Sequence, residues 1–240
     1  FENLGLPYLL SLIGNTPLVR VPLPLPCTVC AKLEYLNPSG SVKDRSALYM
    51  IEEAEQLGLI KPGGTLIEAT SGNQGVAVAM IGRMKGYRVI ITAPERISPD
   101  KRRAMQAYGA EVITCPPSDS LADPHNYRNY AKTLQQQVPG AFMPNQYFNL
   151  SNPRAHYGTL GPEIWKQTQG QITHFITAAG TGGTLSGVGR YLKEQNPKIQ
   201  VIGVDVATSY RSTGGHPRPY TVEGIGVDFD TPCLDHEVVD

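Results

Sequence analysis

The feature that most constrains the fold is an alternation of short apolar, β-rich runs with helical stretches, most of them joined by turns of small residues. Strands are expected over 29–33, 65–69, 88–92, 111–114, 172–178 and 200–205. Helices are expected over 43–57, 75–85, about 99–108, 126–137, around 162–167 and from the glycine turn at 180–184 to about 194. Near-continuous apolar strands in strand–turn–helix units predict parallel sheets covered on both faces. Gly86 and Gly109 stand where helices end, and Ser98-Pro99 reads as an N-cap followed by Pro at the first helical position. Residues 1–27 are loop-rich, with Pro17 pushing Thr16 into an extended conformation. Residues 208–240 are rich in Gly and Pro and show no regular period. The fold class is α/β, and a composition shift near 139–153 suggests a return between two lobes.

Composition narrows the function classes. Of 240 residues, 40% are hydrophobic and 18% charged, enough for a packed core. Lys plus Arg and Asp plus Glu both number 21, so no basic field exists to hold nucleic acid or an anionic membrane. Apolar runs are too short to span a bilayer, and residues 1–15 lack the pattern of a signal peptide. Cys27, Cys30, Cys115 and Cys233 form no disulfide framework, which predicts a reducing, cytoplasmic setting. Cys27 and Cys30 are formally C-x-x-C, but at the start of a strand, where redox pairs do not sit. No metal site is expected.

In parallel α/β sheets ligands bind beyond the carboxyl ends of strands, so the turns there are the places to look for chemistry. Asn37-Pro38-Ser39-Gly40-Ser41-Val42-Lys43-Asp44-Arg45 closes one strand and opens a helix, with Lys43 on its first turn. The positive end of the helix disfavours an ammonium there and favours a free amine, the form that attacks an aldehyde. Ser41 and Asp44 have capping-box spacing; the plain alternative is a capped surface helix with a solvated lysine. Gly180-Thr181-Gly182-Gly183-Thr184 joins an apolar strand to a helix and suits a phosphate, or is a tight turn and nothing more. Its spacing is neither that of a Walker loop nor G-x-G-x-x-G. Thr70-Ser71-Gly72-Asn73-Gln74-Gly75 suits a carboxylate, with simple capping by Ser71 or Asn73 as the alternative. Gln146, in Asn145-Gln146-Tyr147, is a further amide donor or part of a polar loop. A helix-start lysine, a phosphate cradle and a carboxylate loop together suit pyridoxal 5′-phosphate (PLP) and an amino-acid substrate.

With these motifs in this order the chain resembles the fold-type-II PLP enzymes of the cysteine synthase and cystathionine β-synthase family. The matching stretches are 13–18, 37–45, 70–75, 145–147, 180–184 and 223–226. The resemblance implies a two-lobed fold: residues 46–145 as a smaller mobile substrate-binding lobe, and 1–45 plus 146–240 as a larger cofactor-binding lobe. It implies that the C-terminal part is incomplete, because the family continues into a segment that contacts the pyridine nitrogen. It also implies roles. Lys43 forms the Schiff base and is catalytic. Asn73 bonds the ring hydroxyl, and Gly180, Thr181, Gly182, Gly183 and Thr184 hold the phosphate. Thr70, Ser71, Asn73 and Gln146 take the substrate carboxylate, and Gly224 lines the wall near the substrate amine. Residues 220–229 and 152–157 are similar to the cystathionine β-synthase branch in particular, and to its bacterial members. Gln74 departs from the usual Thr, and Val206-Ala207-Thr208 from a more acidic stretch.

The implied activity is β-replacement on L-serine or O-acetyl-L-serine by a thiol, through an aminoacrylate. Homocysteine as acceptor gives cystathionine and sulfide gives cysteine. Dehydration of serine or threonine, or a non-catalytic PLP-binding scaffold, are the rival readings. The implied partners are small-molecule amino-acid and thiol substrates and a second copy in a homodimer, with no nucleic acid and no membrane.

Overall fold

The computed structural model describes residues 8–118 and 122–240; the first seven residues of the loop-rich start lie outside it. The chain divides into two compact units, Phe1–Pro144 and Asn145–Asp240.

The first unit opens with an antiparallel hairpin of β1 (Leu18–Val21) and β2 (Val29–Lys32), in the register Leu18 to Lys32. The sequence anticipates an extended piece after Pro17 but not this pairing. Next come α1 (Lys43–Gln56), β3 (Thr65–Ala69), α2 (Asn73–Met84), β4 (Arg88–Pro94), α3 (Pro99–Ala107), β5 (Glu111–Cys115) and α4 (Tyr127–Gln137). Strands β3, β4 and β5 form a parallel sheet in that order. Its strands carry apolar residues on both faces because successive side chains enter different cores. Leu66, Val89 and Ile91 pack with Ala47 and Ile51 of α1 and Ala77 and Ile81 of α2. Ile67 and Ile90, one position along, pack with Ala131 of α4. Gly82 permits the close approach of α2 to the sheet, since a Cβ there would stand 2.4 Å from Val89 Cγ2.

The second unit contains α5 (Ser151–Gly158), α6 (Leu160–Gln167), β6 (His174–Ala178), α7 (Gly183–Gln195) and β7 (Gln200–Val204). Strands β6 and β7 are parallel, and their inward face meets α7 through Phe175, Val201 and Leu185. The opposite face leaves Ile176 60% and Val204 50% exposed. Helix α5 is not anticipated by the sequence reading, because it is short and Pro153 falls on its third residue. A proline in the first turn removes no intrahelical bond. It packs on α7 at Gly187, where a Cβ would meet Pro153 O at 2.2 Å. Residues 205–240 are turns, apart from one 3-10 turn at His236–Val238.

Candidate active site

Lys43 is the first residue of α1, as its motif predicts. The approach to it is braced by a polar cluster around Glu34. Arg45 donates to Glu34 from Nε at 2.7 Å and from a terminal nitrogen at 2.9 Å. Thr16 Oγ1 donates to Glu34 Oε1 at 2.6 Å and Asn37 Nδ2 to Oε2 at 2.9 Å, while Gly14 N donates to Asn37 Oδ1 at 2.8 Å. The segment 13–18 is thereby tied to the turn that presents Lys43. Burial of both ends of this network makes every partner necessary, since an unmet polar group would remain in a low dielectric.

The capping box expected from Ser41 and Asp44 does not form. Ser41 Oγ accepts from Lys43 N at 3.2 Å, but the Asp44 carboxylate turns to Ser39, taking its N–H at 2.7 Å and its hydroxyl as well. Gly40, at φ +89°, lets the chain fold back for this. Lys43 itself is half-buried, short of the fully solvated lysine of the plain alternative. Burial holds its pKa below the ordinary lysine value.

Thr70 follows β3 and is buried; its N–H donates to Thr92 O at 2.9 Å and its Oγ1 accepts from Gly72 N at 3.1 Å. Helix α2 starts at Asn73 after an extended Gly72, and no side chain caps it. Capping by Ser71 or Asn73 is therefore not what these residues do, and the first N–H groups of α2 keep their capacity for an anion. Gln74 is 1% exposed, and among the described residues neither atom of its amide has a hydrogen-bond partner.

In the second unit the glycine turn ends at α7, whose N-cap is Gly182 at φ +92° with no side-chain cap. That φ suits glycine, and a Cβ at Gly182 would also stand 2.8 Å from Leu234 Cα. A Cβ on Gly180 would meet Gly224 O at 2.5 Å, and one on Gly183 would meet Asn152 Oδ1 at 2.2 Å. Asn152 holds the group together: Nδ2 donates to Thr181 Oγ1 at 2.9 Å and to Gln146 O at 2.8 Å. Thr184 Oγ1 lies 3.3 Å from His156 Nε2. Gln146, Gly180–Thr184 and Gly224 are thus neighbours within this unit. Lys43, Thr70, Ser71 and Asn73 lie on the N-terminal turns of α1 and α2, or just before them, in the other unit.

These features fit PLP: a lysine at a helix start, its pKa lowered by burial, for the aldehyde, and a glycine-lined helix start with two threonines for the phosphate. The family model described as "Pyridoxal-phosphate dependent enzyme" matches residues 9–240. The chain belongs to the pyridoxal-phosphate dependent enzyme family. Its relatives in this family include the cystathionine β-synthase of Apis mellifera, 43% identical over 98% of this chain and 48% of the relative. Cysteine synthase B of Pseudomonas aeruginosa is 48% identical over 82% of this chain and 66% of the relative. Among solved structures, the O-acetylserine dependent cystathionine β-synthase of Helicobacter pylori superposes with a TM-score of 0.88 at 39% identity, covering 97% of this chain and 76% of that one. The chain spans about half the length of the animal and yeast cystathionine β-synthases it matches.

Asn152 and His156 were not among the sequence candidates. Their i, i+4 spacing would put them on one face of a helix, a signal that needed α5 to be recognised first. Cys233 is buried, its thiol pushed up to about 11 by desolvation, and it stays protonated near neutral pH. No group of His, Cys, Asp and Glu among the described residues is arranged to hold a metal ion, and no described helix is long and apolar enough to cross a membrane.

Proposed function

We propose that the protein of which this chain is part catalyses PLP-dependent β-replacement on L-serine or O-acetyl-L-serine by a thiol, with homocysteine as acceptor and cystathionine as product. The observation that carries the reading is Lys43: a helix-start lysine whose pKa is lowered by burial alone. Bound PLP supplies the electron sink that makes the substrate's α-proton acidic. Lys43 would hold the cofactor through its side-chain amine and, as the free amine, would take the substrate's α-proton. Gly180–Thr184 hold the phosphate arm and Asn73 the ring hydroxyl. Thr70, Ser71, Asn73 and Gln146 fix the substrate carboxylate, so that the α C–H bond faces Lys43 Nζ. Gly224 leaves room for the substrate amine. The β-oxygen departs as water or acetate, the thiol sulfur bonds to the β-carbon, and the proton returns to the α-carbon.

Residues 46–145 act in this reading as the substrate lobe and 1–45 plus 146–240 as the cofactor lobe. Adding serine to the PLP-loaded protein should slow amide exchange chiefly at 70–75, and unchanged exchange there would count against the lobe assignment. A homodimer in a cytoplasmic setting accompanies the reading.

The resemblance of residues 152–157 and 220–229 to the cystathionine β-synthase branch favours homocysteine, as do the relatives of that name. The cysteine synthase B relative favours sulfide as the second acceptor, and the name of the Helicobacter relative joins O-acetylserine to cystathionine formation. The test is a product assay crossing serine and O-acetylserine with homocysteine and sulfide. Cystathionine as the main product supports the proposal; cysteine alone moves it to the second reading; keto acid without thiol incorporation refutes both.

A further inference from the structure

Arg211 lies in the stretch that shows no sequence period, yet its guanidinium is largely enclosed, with 11% of the side chain exposed. One terminal nitrogen donates to Ala179 O at 3.1 Å and the other to Gly180 O at 2.7 Å. Ala179 O also accepts from Gly226 N at 2.9 Å, so the residue joins the end of β6 to the Gly224–Gly226 segment. Behind the guanidinium stands Asp205, 3.6 Å away. The Asp205 carboxylate accepts from the Ser209 hydroxyl and from Val206 N, and Ser209 is fully buried. An arginine held by a carboxylate and spent on two consecutive backbone carbonyls is a fixed fork, a geometry lysine does not reproduce.

The consequence follows from peptide planarity. No peptide among the described residues is cis, so each carbonyl and the N–H after it point in opposite directions. Drawing Ala179 O and Gly180 O toward Arg211 turns the N–H groups of Gly180 and Thr181 the other way. Neither N–H donates to a backbone group among the described residues. Two donors are thus pre-aimed before an anion arrives, ahead of those at the start of α7, and no reorientation is required on binding.

We propose that Arg211 is a positioning residue for the cofactor phosphate: from the far side of the turn it orients the Gly180 and Thr181 N–H groups, without itself touching the phosphate. The proposal rests on the reading that 180–184 takes the phosphate of PLP. The test uses the protein with R211M and R211K. Apoprotein is titrated with PLP by fluorescence, and the bound cofactor is observed by phosphorus-31 resonance. R211M is expected to weaken PLP binding by about ten-fold or more and to move the phosphorus resonance, with R211K between R211M and the parent. At saturating PLP, turnover should fall far less than affinity, a split that a general loss of structure would not produce. R211M binding PLP within two-fold of the parent, with an unmoved resonance, overturns the proposal. Should R211M not fold, R211K decides alone by the same criterion. Failure of the parent protein to bind PLP sinks the underlying reading and this one together, whereas parent binding with indifferent variants sinks only the role of Arg211.

Discussion

Lys43 carries two physical consequences that can be separated. Its amine makes the covalent bond, so borohydride treatment of PLP-loaded protein should fix the cofactor on the peptide that contains Lys43, and Lys43→Ala should leave no such peptide. Mass spectrometry of the digest decides, and a label elsewhere would refute the assignment. Its buried charge also opposes folding. The folded chain releases the Lys43 proton at a lower pH than the unfolded chain does, because burial lowers the pKa from the ordinary lysine value. Between those two pKa values the unfolded state binds more protons, so this group's contribution to stability rises with pH there. Below both, its penalty is present in full. Lys43→Met removes that penalty, and the apoprotein should melt higher at neutral pH, by about 2–4 °C for each kcal/mol regained. A lower melting temperature would mean that the lysine has a partner in the folded state.

At the scale of elements, two braces decide how the site residues are presented. The Glu34 cluster fixes the entry to α1 from segment 13–18. Arg45 is nearly inaccessible, at 1% of the side chain, and Arg45→Met leaves the half-buried Glu34 carboxylate only the Thr16 and Asn37 donors. A loss of about 1–3 kcal/mol is expected in urea unfolding of the apoprotein. The second brace is α5 against the glycine turn. Asn152→Leu removes donors to Thr181 and Gln146, leaving both acceptors buried; a loss of about 1–3 kcal/mol and weaker PLP binding are expected. Both braces were half visible in the sequence. The stretches 13–18 and 152–157 stood out by resemblance, but the bonds from Thr16 to Glu34 and from Asn152 to Thr181 join residues 18 and 29 positions apart. Helix and strand limits, by contrast, depend on neighbours a few residues away, and α1, β3 and the turn at Gly86 fall where period and glycine placement put them. The capping box failed because Ser39, two residues further out, offered Asp44 two donors in place of one.

For the molecule as a whole, the family cofactor is a ligand of the folded state and stabilises it by mass action. At PLP a hundred-fold above its dissociation constant, stability should rise by about 2.7 kcal/mol, or roughly 5–11 °C in melting temperature. Lys43→Ala should shrink that shift, and R211M should require more PLP to reach it. Thermal scans across a PLP series measure both. No shift for the parent chain would show that these 240 residues do not hold the cofactor by themselves.

Local pattern determined the α/β alternation, the lysine at the start of α1 and the glycine turn before α7, because helix starts, strand periods and positive-φ turns are properties of a few consecutive residues. Only the tertiary structure decided what stands behind those turns. The carboxylate of Glu34, the amide of Asn152 and the fork of Arg211 bond groups up to 32 residues away, and hydrogen bonds of that reach leave no period in a sequence. Arg211 is the clearest case: a loop residue in an aperiodic segment, given its role solely by two carbonyl groups that folding brings to it.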